Sequence, residues 1–243
     1  LRADSHSTTD FNETYKINFS QQLGKLNLNA LHSTGLRNPT LYELYGTDNY
    51  GIKGNTSIDP EKSKTNELSL NYDLSKNVNF KSTAYETTIF DRIESNAAYS
   101  KHENMKSDIN QRGLENALSF KYNNQTISLF NNFSKSRKDN GQAQNRRPDL
   151  TYGANYSTII KNSPIGEFKM NMNYKYTGAY TDWDGEKNSK QKSVDLINLS
   201  INKKIFENTI SLDIKNLLDR NYEKPATYGR DGRRVGFYFK KTY

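Results

Sequence analysis

Phe168-Lys169-Met170-Asn171-Met172-Asn173-Tyr174-Lys175-Tyr176 decides the fold. Every even position is apolar or aromatic and every odd position is polar. In an extended chain, successive side chains leave on opposite faces, so this stretch has one greasy face and one charged face. As a helix it would spread Lys and Met around the whole circumference and bury nothing coherent, so helix is rejected. The same period-two pattern recurs. Tyr15, Ile17 and Phe19 alternate with polar neighbours, as do Leu68, Leu70, Tyr72 and Leu74. Leu150, Tyr152, Ala154 and Tyr156 follow, then Ile210, Leu212 and Ile214, and finally Val235, Phe237 and Phe239.

The connections fall into two kinds that alternate strictly. Tight turns are expected near Gly24, Ser75-Lys76-Asn77, Asn123-Asn124, Ser163-Pro164-Ile165-Gly166 and Glu207-Asn208, built from residues that suit hairpins. Between them lie long polar stretches at 35–63, 92–109, 136–148, 179–191 and 221–233. Short turns at one end and long loops at the other are the habit of outer-membrane barrels. The expected fold class is therefore all-β: an antiparallel transmembrane β-barrel with about 12 strands present, one of them an N-terminal stub. Aromatics near strand ends, at Tyr15, Tyr152, Tyr174, Tyr176, Tyr180 and Tyr222, fit interfacial girdles. A soluble β-sandwich also alternates, but it does not need the short/long asymmetry.

Composition agrees. Of 243 residues only 33% are hydrophobic, yet there are 17 Tyr and 11 Phe. Disordered chains are poor in aromatics, and a spanning strand needs apolar side chains on one face only. No apolar run reaches the roughly 18 residues of a spanning helix. The formal charge of +8 is scattered, so nucleic acid is not an expected partner. Cysteine is absent, which leaves no disulfide framework and no thiolate metal site. Neither cofactor nor metal is expected, because His6, His32 and His102 have no ligand spacing; Asp182 and Asp184 around Trp183 read as a solvated loop tip. An outer-membrane hydrolase needs a nucleophile beside a base, and the His32–Ser33 neighbours point to opposite faces of a strand. No enzyme is expected, and a passive porin is the third reading. Arg137, Lys138, Arg146 and Arg147 are basic loop residues that would attract an anionic ligand or lipopolysaccharide phosphate.

Four segments and the C-terminal strand carry a family resemblance. Gly35-Leu36-Arg37-Asn38-Pro39-Thr40-Leu41-Tyr42-Glu43-Leu44-Tyr45-Gly46 is followed by Gly54-Asn55-Thr56-Ser57-Ile58-Asp59-Pro60-Glu61-Lys62-Ser63, which departs from the family pattern at Thr56 and Asp59. Asn216-Leu217-Leu218-Asp219-Arg220-Asn221-Tyr222 and Gly229-Arg230 come later, and the chain ends on Tyr243 behind alternating aromatics. Together they resemble TonB-dependent outer-membrane receptors, most of all the cobalamin receptor group; siderophore and haem receptors share much of the pattern. The resemblance implies energy-coupled nutrient uptake in a bacterial outer membrane, with lipid and lipopolysaccharide around the barrel. It also implies a barrel of about 22 strands holding an N-terminal plug. The chain, starting at Leu1, is then expected to be the C-terminal part, lacking the plug and the segment that contacts TonB. Gly35, Pro39, Leu41, Tyr42, Glu43, Asn55, Pro60, Glu61, Asn216, Leu217, Leu218, Asp219, Tyr222, Arg230 and Tyr243 are expected to shape loops and strand ends. The ligand, cobalamin or a ferric siderophore, would be met by Arg37, Tyr45, Tyr50 and Trp183, aromatic and Arg side chains in long loops on one side.

Overall fold

The computed structural model describes residues 1–6, 9–49, 51–96 and 98–241. A hairpin of β1 (Arg2–His6) and β2 (Thr9–Thr14) precedes β3 (Lys16–Leu23) and β4 (Leu26–Arg37). The short helix α1 (Leu41–Tyr45) leads to β5 (Glu61–Ser75), β6 (Val78–Phe90), the small strands β7 (Ile93–Ser95) and β8 (His102–Asn104), and β9 (Ile109–Tyr122). Then come β10 (Gln125–Lys138), β11 (Leu150–Ile160), β12 (Phe168–Thr177), β13 (Tyr180–Trp183), β14 (Asn188–Gln191), β15 (Val194–Ile205), β16 (Asn208–Lys215) and β17 (Arg234–Lys240). Eleven strands form one antiparallel meander in the order β17-β16-β15-β12-β11-β10-β9-β6-β5-β4-β3. The expected dozen strands with an N-terminal stub correspond to this sheet and to β1.

The alternation of turn and loop is present as read. Gly24 and Asn123 take positive φ in tight turns at one end, a conformation open to Gly and Asn at small cost. The other end carries five long connections. Two of them contain their own hairpins, β7–β8 and β13–β14.

Register shows why the period-two pattern arose. Phe80, Leu118, Leu129, Ala154, Tyr174 and Ile197 are successive cross-strand partners in one row. One residue along, Asn79, Ser119, Ser128, Asn155, Asn173 and Asn198 form the neighbouring row on the opposite face. The polar face is laced by its own side chains: Asn173 Nδ2 donates to Asn155 Oδ1 at 2.7 Å, Asn198 Nδ2 to Asn173 Oδ1 at 3.3 Å, and Ser157 Oγ to Asn171 Oδ1 at 2.9 Å. That gives the plentiful asparagines of this chain a place, one that composition alone had not supplied.

Among the described residues, no second layer packs on the sheet. Buried apolar residues are few, namely Leu44, Ile58, Ile93, Ile109 and Ala226, whereas Leu129, Phe133, Met172, Phe237 and Phe239 on the apolar face are exposed. An apolar face this extensive is unstable in water and is covered by lipid tails, where every backbone group must be paired within the protein. The greasy band stops at the row His32, Asn66, Glu86, Arg112 and Lys135, which share the apolar face near the loop end. Tyr15, Tyr152, Tyr174 and Tyr176 lie on this face as girdle residues, with Tyr152 and Tyr176 stacked at 4.6 Å. Tyr180 and Tyr222 do not. They sit in the loops and line a cavity described below.

A spin label at Met172 in the membrane-reconstituted protein is expected to be relaxed by oxygen dissolved in the bilayer, and one at Asn173 by a water-soluble nickel chelate. The reverse pattern would overturn the assignment of faces.

Candidate functional site

The five long loops at one end are the candidate ligand site. The first, between β4 and β5, folds on a set of mutual bonds. Thr40 caps α1, its hydroxyl accepting from the Glu43 N–H while the Glu43 carboxylate takes the Thr40 N–H at 2.7 Å, a capping box. Arg37 donates to both Glu43 oxygens at 3.1 and 3.2 Å and to Glu61 at 3.3 Å. Burial alone raises the Glu43 pKa, but the Thr40 N–H and hydroxyl and the Arg37 guanidinium more than offset it and hold the carboxyl below its ordinary value. Pro39 and Pro60 are buried, and Leu44, Ile58 and Ile93 form a small core under the loop. Leu41 and Tyr42 stay exposed; the Tyr42 hydroxyl reaches Asp48 at 3.3 Å.

Asn55 joins this loop to the next. Its N–H donates to the Glu43 carbonyl at 2.9 Å and its side-chain amide to the His102 carbonyl at 3.0 Å. Asn104 bonds Asp59 in both directions, at 2.8 and 2.9 Å. The loops beyond are laced in turn. The Asp108 N–H donates to Asp139 at 2.9 Å. Arg146 Nε donates to Asp182 Oδ1 at 2.8 Å, and the Ala226 N–H to Asp182 Oδ2 at 2.9 Å. A chain of hydrogen bonds therefore runs through all five loops.

Asp182 is the residue that sequence reasoning misplaced. It is not at a solvated tip; it is 1% exposed and ties three loops together. The tip belongs to Asp184, whose carboxylate accepts from the N–H groups of Glu186 and Lys187. Burial raises the Asp182 pKa, but the Ala226 N–H, Arg146 and the Trp183 N–H outweigh it and hold the carboxyl below its ordinary value. A lone Asp carries no sequence signal for that role. The basic loop residues are also partly occupied: Arg137 makes a two-pronged contact with Asp149 at 2.6 and 3.1 Å, and Arg146 is held by Asp182.

Asn216 to Tyr222 forms the exit of β16. Asn216 takes a positive φ, and its side chain accepts from the Arg220 N–H and donates to the Arg220 carbonyl, both at 2.9 Å. The Leu217 N–H donates to Ile197, and Asp219 accepts from the Arg233 N–H. Leu218 is exposed, and the Tyr222 carbonyl accepts from the Arg230 N–H at 2.9 Å.

Of the four expected ligand contacts, Tyr45 and Trp183 are exposed at the loop end, 59% and 49%. Arg37 lies between two carboxylates, Glu43 and Glu61. Tyr50, like Tyr243, lies outside the described residues. His32 meets the Tyr15 hydroxyl at 3.1 Å and Asn66 Oδ1 at 2.6 Å, not Ser33.

The comparisons with known proteins agree with this architecture. The family model "TonB dependent receptor-like, beta-barrel" matches residues 1–217. The vitamin B12 transporter BtuB of Vibrio cholerae is 24% identical over 234 residues, covering 94% of this chain and 37% of that protein. The siderophore receptor PirA of Acinetobacter baumannii superposes with a TM-score of 0.78 at 17% identity, over 98% of this chain and 41% of the receptor. The FrpB iron transporter of Neisseria meningitidis gives 0.72 at 15% identity, over 94% and 39%. At these identities the structural likeness speaks for the fold alone. The chain spans well under half the length of each. These relatives are named as transporters and receptors. The meander, the loop motifs and the match over most of the length together mean that this chain belongs to the TonB-dependent receptor β-barrel family of the bacterial outer membrane.

Proposed function

We propose that the protein containing this chain takes up a scarce, bulky nutrient across the outer membrane in an energy-coupled way, with cobalamin as the first ligand to test. The observation that carries this reading is the lacing of five long loops into one rim at a single end of the barrel sheet. Loops longer than a turn requires are usually functional, and holding them in place lowers the ordering cost of binding. The 24% likeness to the vitamin B12 transporter supports cobalamin over other nutrients. A ferric siderophore or haem is the alternative. No bond is made or broken in the transported nutrient.

On this reading the chain is the C-terminal part of a barrel of about 22 strands, with the plug and the TonB-contacting segment in an N-terminal region. The 37% coverage of the B12 transporter and the two open sheet edges, β3 and β17, support that division. Lipopolysaccharide would surround the outer rim. Tyr45, Tyr50 and Trp183 would touch the ligand, and Arg37 would order the loop that presents Tyr45 and contribute its remaining donors.

Alanine changes at these four positions in the full-length receptor, with direct binding of cobalamin and of a ferric siderophore, test the reading. A loss of about 1 kcal/mol or more at two or more positions is expected. Unchanged binding of both ligands in all four variants would remove the site.

A further inference from the structure

A cavity of about 510 Å³ opens where the loop end meets the polar face. Its floor is the outer end of β12 and β15: Lys175 pairs with Leu196 and Thr177 with Val194, on the face that carries the Asn row. Its walls are the β13–β14 hairpin, which ends at Gln191, and the loop after β16 around Tyr222. Four lysines line it, Lys175, Lys190, Lys192 and Lys224, against a single carboxylate, Glu223. Glu223 is already engaged, accepting the Thr227 N–H at 2.8 Å. Among the described residues, none of the four lysines is within ion-pair distance of a carboxylate, unlike Arg37, Arg137 and Arg146. Tyr180 also lines the cavity. Its hydroxyl is shielded from solvent and has no hydrogen-bond partner among the described residues.

Unpaired like charges around one concavity repel one another, and a buried hydroxyl without a partner costs stability. Both costs fall when an anion with several acceptor oxygens enters. We propose that this cavity is an anion subsite of the receptor, taking a compact ligand part that carries two or more phosphate or carboxylate groups. The four lysines supply the charge and the Tyr180 hydroxyl supplies a fixed donor. The inference rests on the nutrient-receptor reading and narrows its ligand class: the nutrient, or the end of it that is held here, is polyanionic, which favours the ferric-chelate alternative over cobalamin, whose acidic group is a single phosphodiester. Because the cavity lies on the polar face and not on the lipid face, lipopolysaccharide phosphate is not its occupant.

The test is calorimetric titration of the full-length receptor in detergent with pyrophosphate and, separately, with citrate. Saturable binding of at least one is expected, and the tighter of the two tells phosphate from carboxylate. The double variant Lys190→Gln/Lys192→Gln is expected to weaken that binding about tenfold or more. Lys169→Gln, at the turn end of the same face, should leave it unchanged. Tyr180→Phe removes only the unpartnered hydroxyl, so it should keep the melting temperature and still weaken binding. Absence of saturation with both anions, or equal binding by wild type and the double variant, overturns the subsite. Cobalamin titration in parallel separates the two ideas. Anion binding without cobalamin binding removes the cobalamin reading and keeps the subsite; cobalamin binding with no anion response does the opposite.

Discussion

Replacing Asp182 with alanine is expected to release three outer loops at once. The carboxylate is 1% exposed and accepts from Arg146, from the Ala226 N–H and from the Trp183 N–H, at 2.8 to 2.9 Å. Hydrogen bonds to a charged group contribute about 1.5–3 kcal/mol each. They are not additive here, because Arg146 is largely exposed and its charge returns to water at little cost. A local loss of about 3 kcal/mol follows, which raises the open population of these loops roughly a hundredfold. The strands below keep their own ladders, so the barrel stays folded. Limited trypsin cleavage after Arg146 reads the effect directly; Arg147 precedes Pro148 and is not a trypsin site. Asp182→Asn should be intermediate, keeping the shape and one acceptor but losing the charge. Wild type carries the matching pH dependence. The folded Asp182 pKa lies below its ordinary value, so the stabilisation is present above the unfolded pKa and is lost as pH falls through the folded one. Cleavage within these loops by pepsin, which works in acid, should therefore speed up on acidification in wild type and be nearly flat in Asp182→Ala, once pepsin's own pH profile is divided out with an unfolded substrate. Equal cleavage of both proteins at neutral pH would remove the junction role.

Gly54→Ala is expected to undo the first loop. A Cβ at this position would lie 2.5 Å from the Leu44 carbonyl carbon and the Tyr45 nitrogen, both backbone atoms with no rotamer to move aside. The Gly54 N–H also donates to the Gly46 carbonyl at 2.6 Å, closing the turn behind α1. Forcing the segments apart costs about 2 kcal/mol by analogy with overpacked cores. It also pulls at the adjacent Asn55 bonds to Glu43 and His102. Amide hydrogen exchange at Gly54 and Asn55 should accelerate about thirtyfold, with β4 and β5 unaffected. Exchange within twofold of wild type would mean the loop tolerates the methyl group and that the Gly54-Asn55 pair is not needed for packing.

The two variants mark where sequence reading stopped. Gly54 and Asn55 are legible as part of a motif, and Asn55 reads as a loop-shaping residue; the close contact that makes Gly54 necessary comes from the structure. Asn216 and Asp219 likewise read as a strand exit and form one. Asp182 reads as a loop tip from sequence, because a polar residue beside Asp184 and Trp183 in a polar stretch has no local mark of burial. Tyr180 and Tyr222 read as girdle aromatics from sequence because they stand near strand ends. Only the course of the loops turns them toward the lysine-lined cavity.

The sequence by itself determined the strands, their faces and the order of turns and loops. Those follow from interactions between residues two apart and from turns of two to seven residues, and a single-layer sheet in lipid needs no partner layer to specify its greasy side. Tertiary structure alone decided which loop touches which. Arg146 and Asp182 are 36 positions apart and Asp182 and Ala226 are 44; they meet because consecutive hairpins bring their loop ends side by side, a proximity that no local pattern of residue types encodes.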